Sequence, residues 1–298
     1  MAGTGDGRCL VLGCGGVTGL AWEIGLLAGL ARQGIDLADA DMIIGCSAGS
    51  VAGAQLARGV PPAHLLAVQL DAEAAAREQF RPYSQRDADD KNRALYDKTG
   101  GDLAQARQRI GAYARRSATP TLAERRAIIA ARLSGANWPL RPFRVVAVDA
   151  STGEGRSFEA RDGVDFVDAI AASCAVPGAW PAVPIGGASY MDGGIRSMTN
   201  ADMAAGFRQV IVLAPLGYRD DNPVSGHLRR ELRELEAAGS QVLALLPDVA
   251  SAAAIGDNVL DPTGRARSAD AGYRQAESLA QAVRNIWSRP SAPAVPPQ

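Results

Sequence analysis

Arg8-Cys9-Leu10-Val11-Leu12-Gly13-Cys14-Gly15-Gly16-Val17-Thr18-Gly19 opens on a short, partly β-branched apolar run and passes straight into glycines. A run of this kind, closed by Gly13, reads as a buried strand followed by a turn. Beyond the turn, Leu20, Ile24, Leu27 and Leu30 recur at helical spacing, and Gly34 falls just past the last turn as a C-terminal stop. The pattern then repeats. Asp41-Met42-Ile43-Ile44 predicts a second strand and Val51 to Ala57 a second helix, joined by another glycine-bounded turn, Gly45-Cys46-Ser47-Ala48-Gly49. Strand, helix, strand, helix in a chain of 298 residues, 47% apolar and 21% charged, implies an α/β fold whose mainly parallel sheet is covered on both faces.

From Pro61 to about Gly135 the sequence is charged and Ala-rich with no strand pattern, and Thr121-Leu122-Ala123-Glu124 has the form of a capping box opening a helix that Gly135 closes. This predicts a helical insertion, about 61–135, within a single domain spanning 1–289. Phe143 to Val148, Gln209 to Ala214 and Gln241 to Leu246 predict further strands. Between the last two, a helix turns Leu228, Leu232 and Leu235 inward and Arg229, Arg230, Glu231 and Glu234 outward. A closing helix carries Tyr273, Ala276, Leu279, Val283 and Trp287, and residues 290–298, with four prolines, read as a disordered tail.

Several classes are set aside by composition. A net charge of -1 supplies no field for nucleic acid. Cys9, Cys14, Cys46 and Cys174 lack C-x-x-C spacing, which suggests reduced thiols rather than a disulfide framework or a zinc site. The longest uncharged run, Ala169 to Met191, contains Pro177, Pro181 and Pro184 and reads as a loop-rich interior, not a membrane span. The apolar stretch after Arg8 is interrupted by glycines and charged at Glu23, unlike a signal peptide, so a cytoplasmic protein is expected.

The Gly45 to Gly49 turn lies between a predicted strand and a predicted helix, the context in which G-x-S-x-G becomes a nucleophile elbow exposing the Ser47 hydroxyl. The Gly13 to Gly19 turn has two readings. It binds phosphate, although the third glycine of a dinucleotide fingerprint falls one place late and no acidic residue ends the second strand. Alternatively, its amides near Gly15 and Gly16 form an oxyanion hole, which uses both turns at one carboxyl edge of the sheet. A serine nucleophile also needs a base, and the chain has only two histidines. His64 reads as a surface residue. His227 fits the order of a Ser47, Asp192, His227 triad but sits at the start of a charged helix, where a solvated role is the simpler reading. Tyr190-Met191-Asp192-Gly193-Gly194 offers a carboxylate followed by glycines that let the backbone turn around it.

The Gly13 to Gly19 turn, the Gly45 to Gly49 elbow, Ala171-Ala172-Ser173-Cys174-Ala175-Val176-Pro177-Gly178 and Asp192-Gly193-Gly194 resemble, in order and approximate spacing, the motifs of the patatin-like phospholipases over roughly residues 8–215. The resemblance implies a three-layer α/β/α fold and a Ser-Asp dyad without histidine. Ser47 is then the nucleophile, Asp192 its general base, and Gly15 and Gly16 the oxyanion donors. Gly13, Gly19, Gly45, Gly49, Gly193 and Gly194 support these motifs. Cys14 stands where the family commonly has a glycine, and Thr18 where it commonly has Arg or Lys.

The implied activity is cleavage of carboxylic ester bonds of a lipid, phospholipid or acylglycerol, with no cofactor and no metal. The implied partners are a lipid or ester substrate and transient contact with a membrane surface, with no nucleic acid. Val176 to Ile185 and the insertion are the expected acyl pocket and lid. The rivals are a triad esterase using His227, a nucleotide-binding protein, and a lipid-binding member with little catalysis.

Overall fold

The computed structural model describes residues 5–76 and 78–287; the proline-rich 290–298 lies outside them. β1 (Gly5–Leu12), α1 (Gly16–Arg32), β2 (Met42–Cys46) and α2 (Ala48–Ala57) follow in the order that the N-terminal pattern predicts. The insertion is helical throughout its regular elements: α3 (Pro62–Leu70), α4 (Ala72–Ala76), α5 (Gln85–Lys98), α6 (Leu103–Arg116) and α7 (Leu122–Arg132). The capping box forms as expected, with the Glu124 N–H donating to Thr121 Oγ1 at 3.2 Å and the Thr121 N–H donating to Glu124 at 2.7 Å. α7 stops at Arg132, short of Gly135. The rest of the described chain supplies β3 (Phe143–Asp149), β4 (Gly155–Phe158), α8 (Phe166–Ser173), β5 (Val183–Ile185), β6 (Ala188–Asp192), β7 (Phe207–Leu213), α9 (Leu228–Ala237), β8 (Gln241–Leu245), α10 (Val249–Ile255) and α11 (Arg265–Ile286).

The sheet runs β5-β6-β3-β2-β1-β7-β8, with β4 also on β3. β3, β2, β1, β7 and β8 are parallel, whereas β4 and β6 pair antiparallel with β3. Strand alternation divides the core. Leu10, Leu12, Ile43, Val145 and Ile211 pack with residues of α1, α2, α8 and α11. Cys9, Val11, Ile44, Val146 and Val212 pack on the other face with Leu228 and Leu235 of α9. Helices on both faces of the sheet make the expected three-layer α/β/α arrangement. Among the described residues no helix is long and apolar enough to cross a membrane.

The structure corrects two expectations. The stretch from Ala169 to Met191 is not only loop: it holds the last turns of α8, all of β5 and most of β6. Glu231, expected outward on α9, is 1% exposed, because Thr199 Oγ1 and the Ala201 N–H donate to its carboxylate at 2.7 and 3.0 Å.

Candidate active site

β1 has β2 on one side and β7 on the other: the chain builds outward from β1 through β2 and β3, then returns to the other side of β1 with β7 and β8. That reversal opens a crevice at the carboxyl ends of the strands, where both glycine turns emerge. A second feature of the sheet selects the carboxylate. β2 pairs with β3 as far as Cys46↔Val146, and β6 takes over the same edge at Asp192↔Ala147, β4 occupying the opposite edge. The last residues of β2 and β6 therefore meet end to end. Ser47 Oγ donates to Asp192 Oδ2 at 2.7 Å, across 145 residues of sequence.

Asp192 is 4% exposed, and its other oxygen accepts the Gly194 N–H at 2.8 Å with the Cys14 thiol 3.8 Å away. Burial raises its pKa from 3.8 to about 6, opposed by the hydrogen bonds from Ser47 and Gly194 and by the charge of Arg125. The carboxylate is thus a stronger base than an exposed one and is still mostly ionised at neutral pH.

Ser47 sits at φ 52, ψ -118, a conformation rare for a residue with a side chain and stored at the strand-to-helix junction. Such strain persists only where the surroundings fix it. The Ser47 N–H donates to Ser173 Oγ at 2.9 Å, and Ser173 Oγ in turn donates to the Val146 carbonyl at 2.6 Å. The Ser47 carbonyl accepts the Ser50 hydroxyl at 2.7 Å and the Cys174 thiol at 3.1 Å. Gly49 lets the elbow pass close to β1: a Cβ there would run into the Leu12 carbonyl, and its N–H donates to the Gly13 carbonyl at 3.0 Å. Gly45 faces Gly49 and Ser50 in the same tight passage.

The other turn lies beside it. Gly13 donates to the Leu213 carbonyl, and Gly15 and Gly19 pack against Pro215. Gly16 opens α1 at φ 59, with the Val259 carbonyl where a side chain would go. In the first turn, the N–H groups of Val17 and Thr18 both donate to that carbonyl, at 2.7 and 3.2 Å, and the Gly19 N–H donates to the Gly15 carbonyl at 2.7 Å. Among the described residues the amides of Gly15 and Gly16 have no acceptor. A phosphate bound to the Val17 and Thr18 amides would have to displace the Val259 carbonyl, so the helix end offers an anion fewer free amides than the nucleotide reading expects.

Gly15, Gly16, Ser47 and Asp192 all line one cavity of about 840 Å³. Its remaining wall includes Tyr83, Leu95, Ile110 and Tyr113 from the insertion and Val176 to Ala179 from the chain after α8. Gly193 packs on Cys46 and the Val146 carbonyl, which sets the sharp departure of the chain after Asp192.

The two histidines lie elsewhere. His64 is exposed on α3. His227 is half-buried, with Nε2 3.0 Å from the Val224 carbonyl and 3.3 Å from the Arg107 guanidinium, and burial together with the charges of Arg230 and Arg107 lowers its pKa to about 4. It is therefore not the solvated residue expected, and none of these contacts is with Ser47 or Asp192. Thr18 is fully buried, its hydroxyl without a partner among the described residues.

Cys14 Sγ, Cys46 Sγ and an Asp192 oxygen lie within 4.8 Å of one another, a donor set of the kind that holds metals. The thiols are 2.9 Å apart, closer than the roughly 3.7 Å between two sulfurs on one tetrahedral zinc, and burial raises the pKa of both. The set therefore does not fit a metal without opening.

Sequence reading missed the roles of Ser173, Cys174 and Arg125. The first two lie in a stretch singled out above without a function. Arg125 carried its own signal, since it falls with Leu122 and Ile129 on one stripe of α7, where a charged residue is out of place.

The sequence model of a family described as patatin-like phospholipase matches residues 10–205. Among solved structures, the fold is similar to VipD from Legionella pneumophila, with a TM-score of 0.46, 13% identity, and coverage of 93% of this chain and 67% of that one. It is also similar to the type III effector protein ExoU, with a TM-score of 0.36, 16% identity, and coverage of 92% of this chain and 54% of that one. No curated protein matches the chain.

Proposed function

Because the chain belongs to the patatin-like phospholipase family, we propose that it is a lipid acyl hydrolase that cleaves carboxylic esters through an acyl-enzyme on Ser47. The observation that carries this reading is the 2.7 Å hydrogen bond from a strained serine to a buried carboxylate, in a cavity where two backbone amides are unclaimed. Ser47 Oγ attacks the ester carbonyl carbon while Asp192 Oδ2 takes its proton. The carbonyl oxygen becomes an oxyanion that the Gly15 and Gly16 amides, on the wall of the same cavity as Ser47, would hold by hydrogen bonds. Collapse of the intermediate expels the alcohol, which receives the proton from Asp192. Water then repeats the cycle on the acyl-enzyme and releases the carboxylic acid.

Membership of the family supports lipid substrates, and the apolar stretch of wall from Leu95, Ile110 and Val176 supports an acyl chain in the cavity. Val68, Leu70, Phe80 and Tyr113 are exposed apolar side chains of the insertion, the part of the chain for which contact with a lipid surface is proposed. Release of fatty acid from a panel of phospholipid and acylglycerol dispersions tests the reading. Wild type is expected to release it, and Ser47→Ala and Asp192→Asn to lose at least about 1000-fold in rate. A folded wild type inert on every ester, saturably binding the same lipids, would support the lipid-binding rival instead.

A further inference from the structure

Beside Ser47, on the side toward α7, lies a cation cluster that the dyad does not use. Arg125 is 2% exposed. One of its Nη groups donates to the Cys174 carbonyl at 3.1 Å, while Nε and the other Nη have no partner among the described residues. Its guanidinium stacks on Trp180 at 3.9 Å, and that of Arg81 stands over the same ring at 4.8 Å. Arg132 adds a third charge. Carboxylates that face this group include Glu78, committed to Arg132 in an ion pair, Asp192, whose oxygens are held by Ser47 and Gly194, and Glu124, which faces Arg81 and is held by Thr121. Burial lowers the Arg125 pKa only to about 9, so it stays charged at neutral pH.

A buried guanidinium with idle donors is costly unless an anion meets it. The space for one is present. A recess of about 20 Å³, large enough for a single water-sized group, is lined by Arg125, Arg132, Gln79, Trp180 and Ser47. It shares Gly16, Ser47, Val176 and Leu260 with the large cavity, so the two spaces lie side by side at Ser47.

We propose that Arg125, with Arg132 beside it, forms an anion subsite next to Ser47 that takes an oxygen of a phosphate carried by the ester substrate, so that phosphate-bearing acylglycerols are cleaved in preference to their neutral counterparts. The substrate half rests on the reading of Ser47 as nucleophile; the anion-binding half does not. A single idle N–H of Arg125 suffices for one charge-assisted hydrogen bond to a phosphoryl oxygen, which is all that a recess of this size admits.

The test uses the full chain as wild type, Arg125→Met and Arg125→Lys. Removing a buried unpaired charge in favour of an apolar side chain of similar length is neutral or stabilising, so Arg125→Met is expected to fold. Inorganic phosphate, against chloride at equal ionic strength, is expected to raise the melting temperature of wild type and not that of Arg125→Met. The kcat/KM ratio for a short-chain diacylglycerol phosphate over the diacylglycerol of the same chains, in the same mixed micelles, is expected to exceed about tenfold in wild type and to approach unity in Arg125→Met. Arg125→Lys is expected to fall between and carries the test if the Met variant is unstable.

Phosphate stabilisation without substrate preference would overturn the substrate half and leave a site for free phosphate. A ratio unchanged in folded Arg125→Met, or no phosphate effect on wild type, would overturn the proposal. If no ester is hydrolysed yet phosphate stabilisation is lost in Arg125→Met, the subsite stands and the hydrolase reading fails.

Discussion

Replacing the proposed base with its neutral isostere, Asp192→Asn, is expected to stabilise the protein while abolishing turnover. Asp192 is 4% exposed and carries its charge with one serine, one amide and a distant thiol as donors, and the result is a pKa raised from 3.8 to about 6. The sign of the linkage follows. Between these two values the folded state binds more protons than the unfolded state, so stability falls as pH rises through that window, and the penalty is fully present above it. At about 1.36 kcal/mol per pH unit the penalty is of order 3 kcal/mol. Asparagine keeps the acceptor for Gly194 but turns a donor toward Ser47, which costs about 1 kcal/mol of that gain. The net expectation is about 1–2 kcal/mol in favour of the variant at pH 8, or roughly 2–6 °C in melting temperature. Paired thermal or urea denaturation of wild type and variant from pH 8 to pH 4 reads it. The gap is expected to shrink through pH 6 and to vanish or reverse near pH 4, where wild-type Asp192 is itself neutral. A gap that is constant across this range, or grows toward low pH, would refute the buried-charge reasoning.

On the proposed mechanism the same carboxyl sets the pH dependence of turnover. kcat/KM for a p-nitrophenyl ester is expected to fall below an apparent pKa of about 6, because protonated Asp192 cannot accept the serine proton. His227, lowered to about 4, is not the source of this limb, so His227→Ala should leave it in place; loss of the limb in that variant would restore the triad. Ser173→Ala removes the acceptor of the Ser47 N–H, and kcat is expected to drop about tenfold with KM nearly unchanged, measured on the same ester. A change confined to KM would place Ser173 in the substrate pocket instead of behind the nucleophile.

Much of the scaffold was legible because its signals are local. The β1-α1-β2-α2 unit announces itself through apolar runs, helical spacing and glycines at both turns. The Thr121 capping box is likewise a local contract between neighbours. α8 was not legible, because Phe166, Val167 and Ala169 to Ser173 are all buried and an all-round apolar helix has no periodic face. β5 and β6 are short, and the glycine turn between them resembles any loop.

In the site, Ser47 and Asp192 were each visible as a motif. Their meeting depends on the handover between β2 and β6 along β3, a register that no local pattern encodes. Glu231 shows the same limit from the other side, and Arg125 shows it in part, since its place on the stripe of α7 signals burial but not its partners. Each reads as a polar position by type, and partners remote in sequence, Thr199 and Ala201 for one and Cys174 and Trp180 for the other, bring it inside.

The central claim is that Ser47 becomes covalently acylated with Asp192 as its base. Mass spectrometry of the protein, rapidly acid-quenched during turnover of a p-nitrophenyl acyl ester, measures this directly. The account predicts an added acyl group on the peptide containing Ser47 in wild type, and none in Ser47→Ala. An acyl group found on another residue, or undiminished turnover by folded Ser47→Ala, would contradict it.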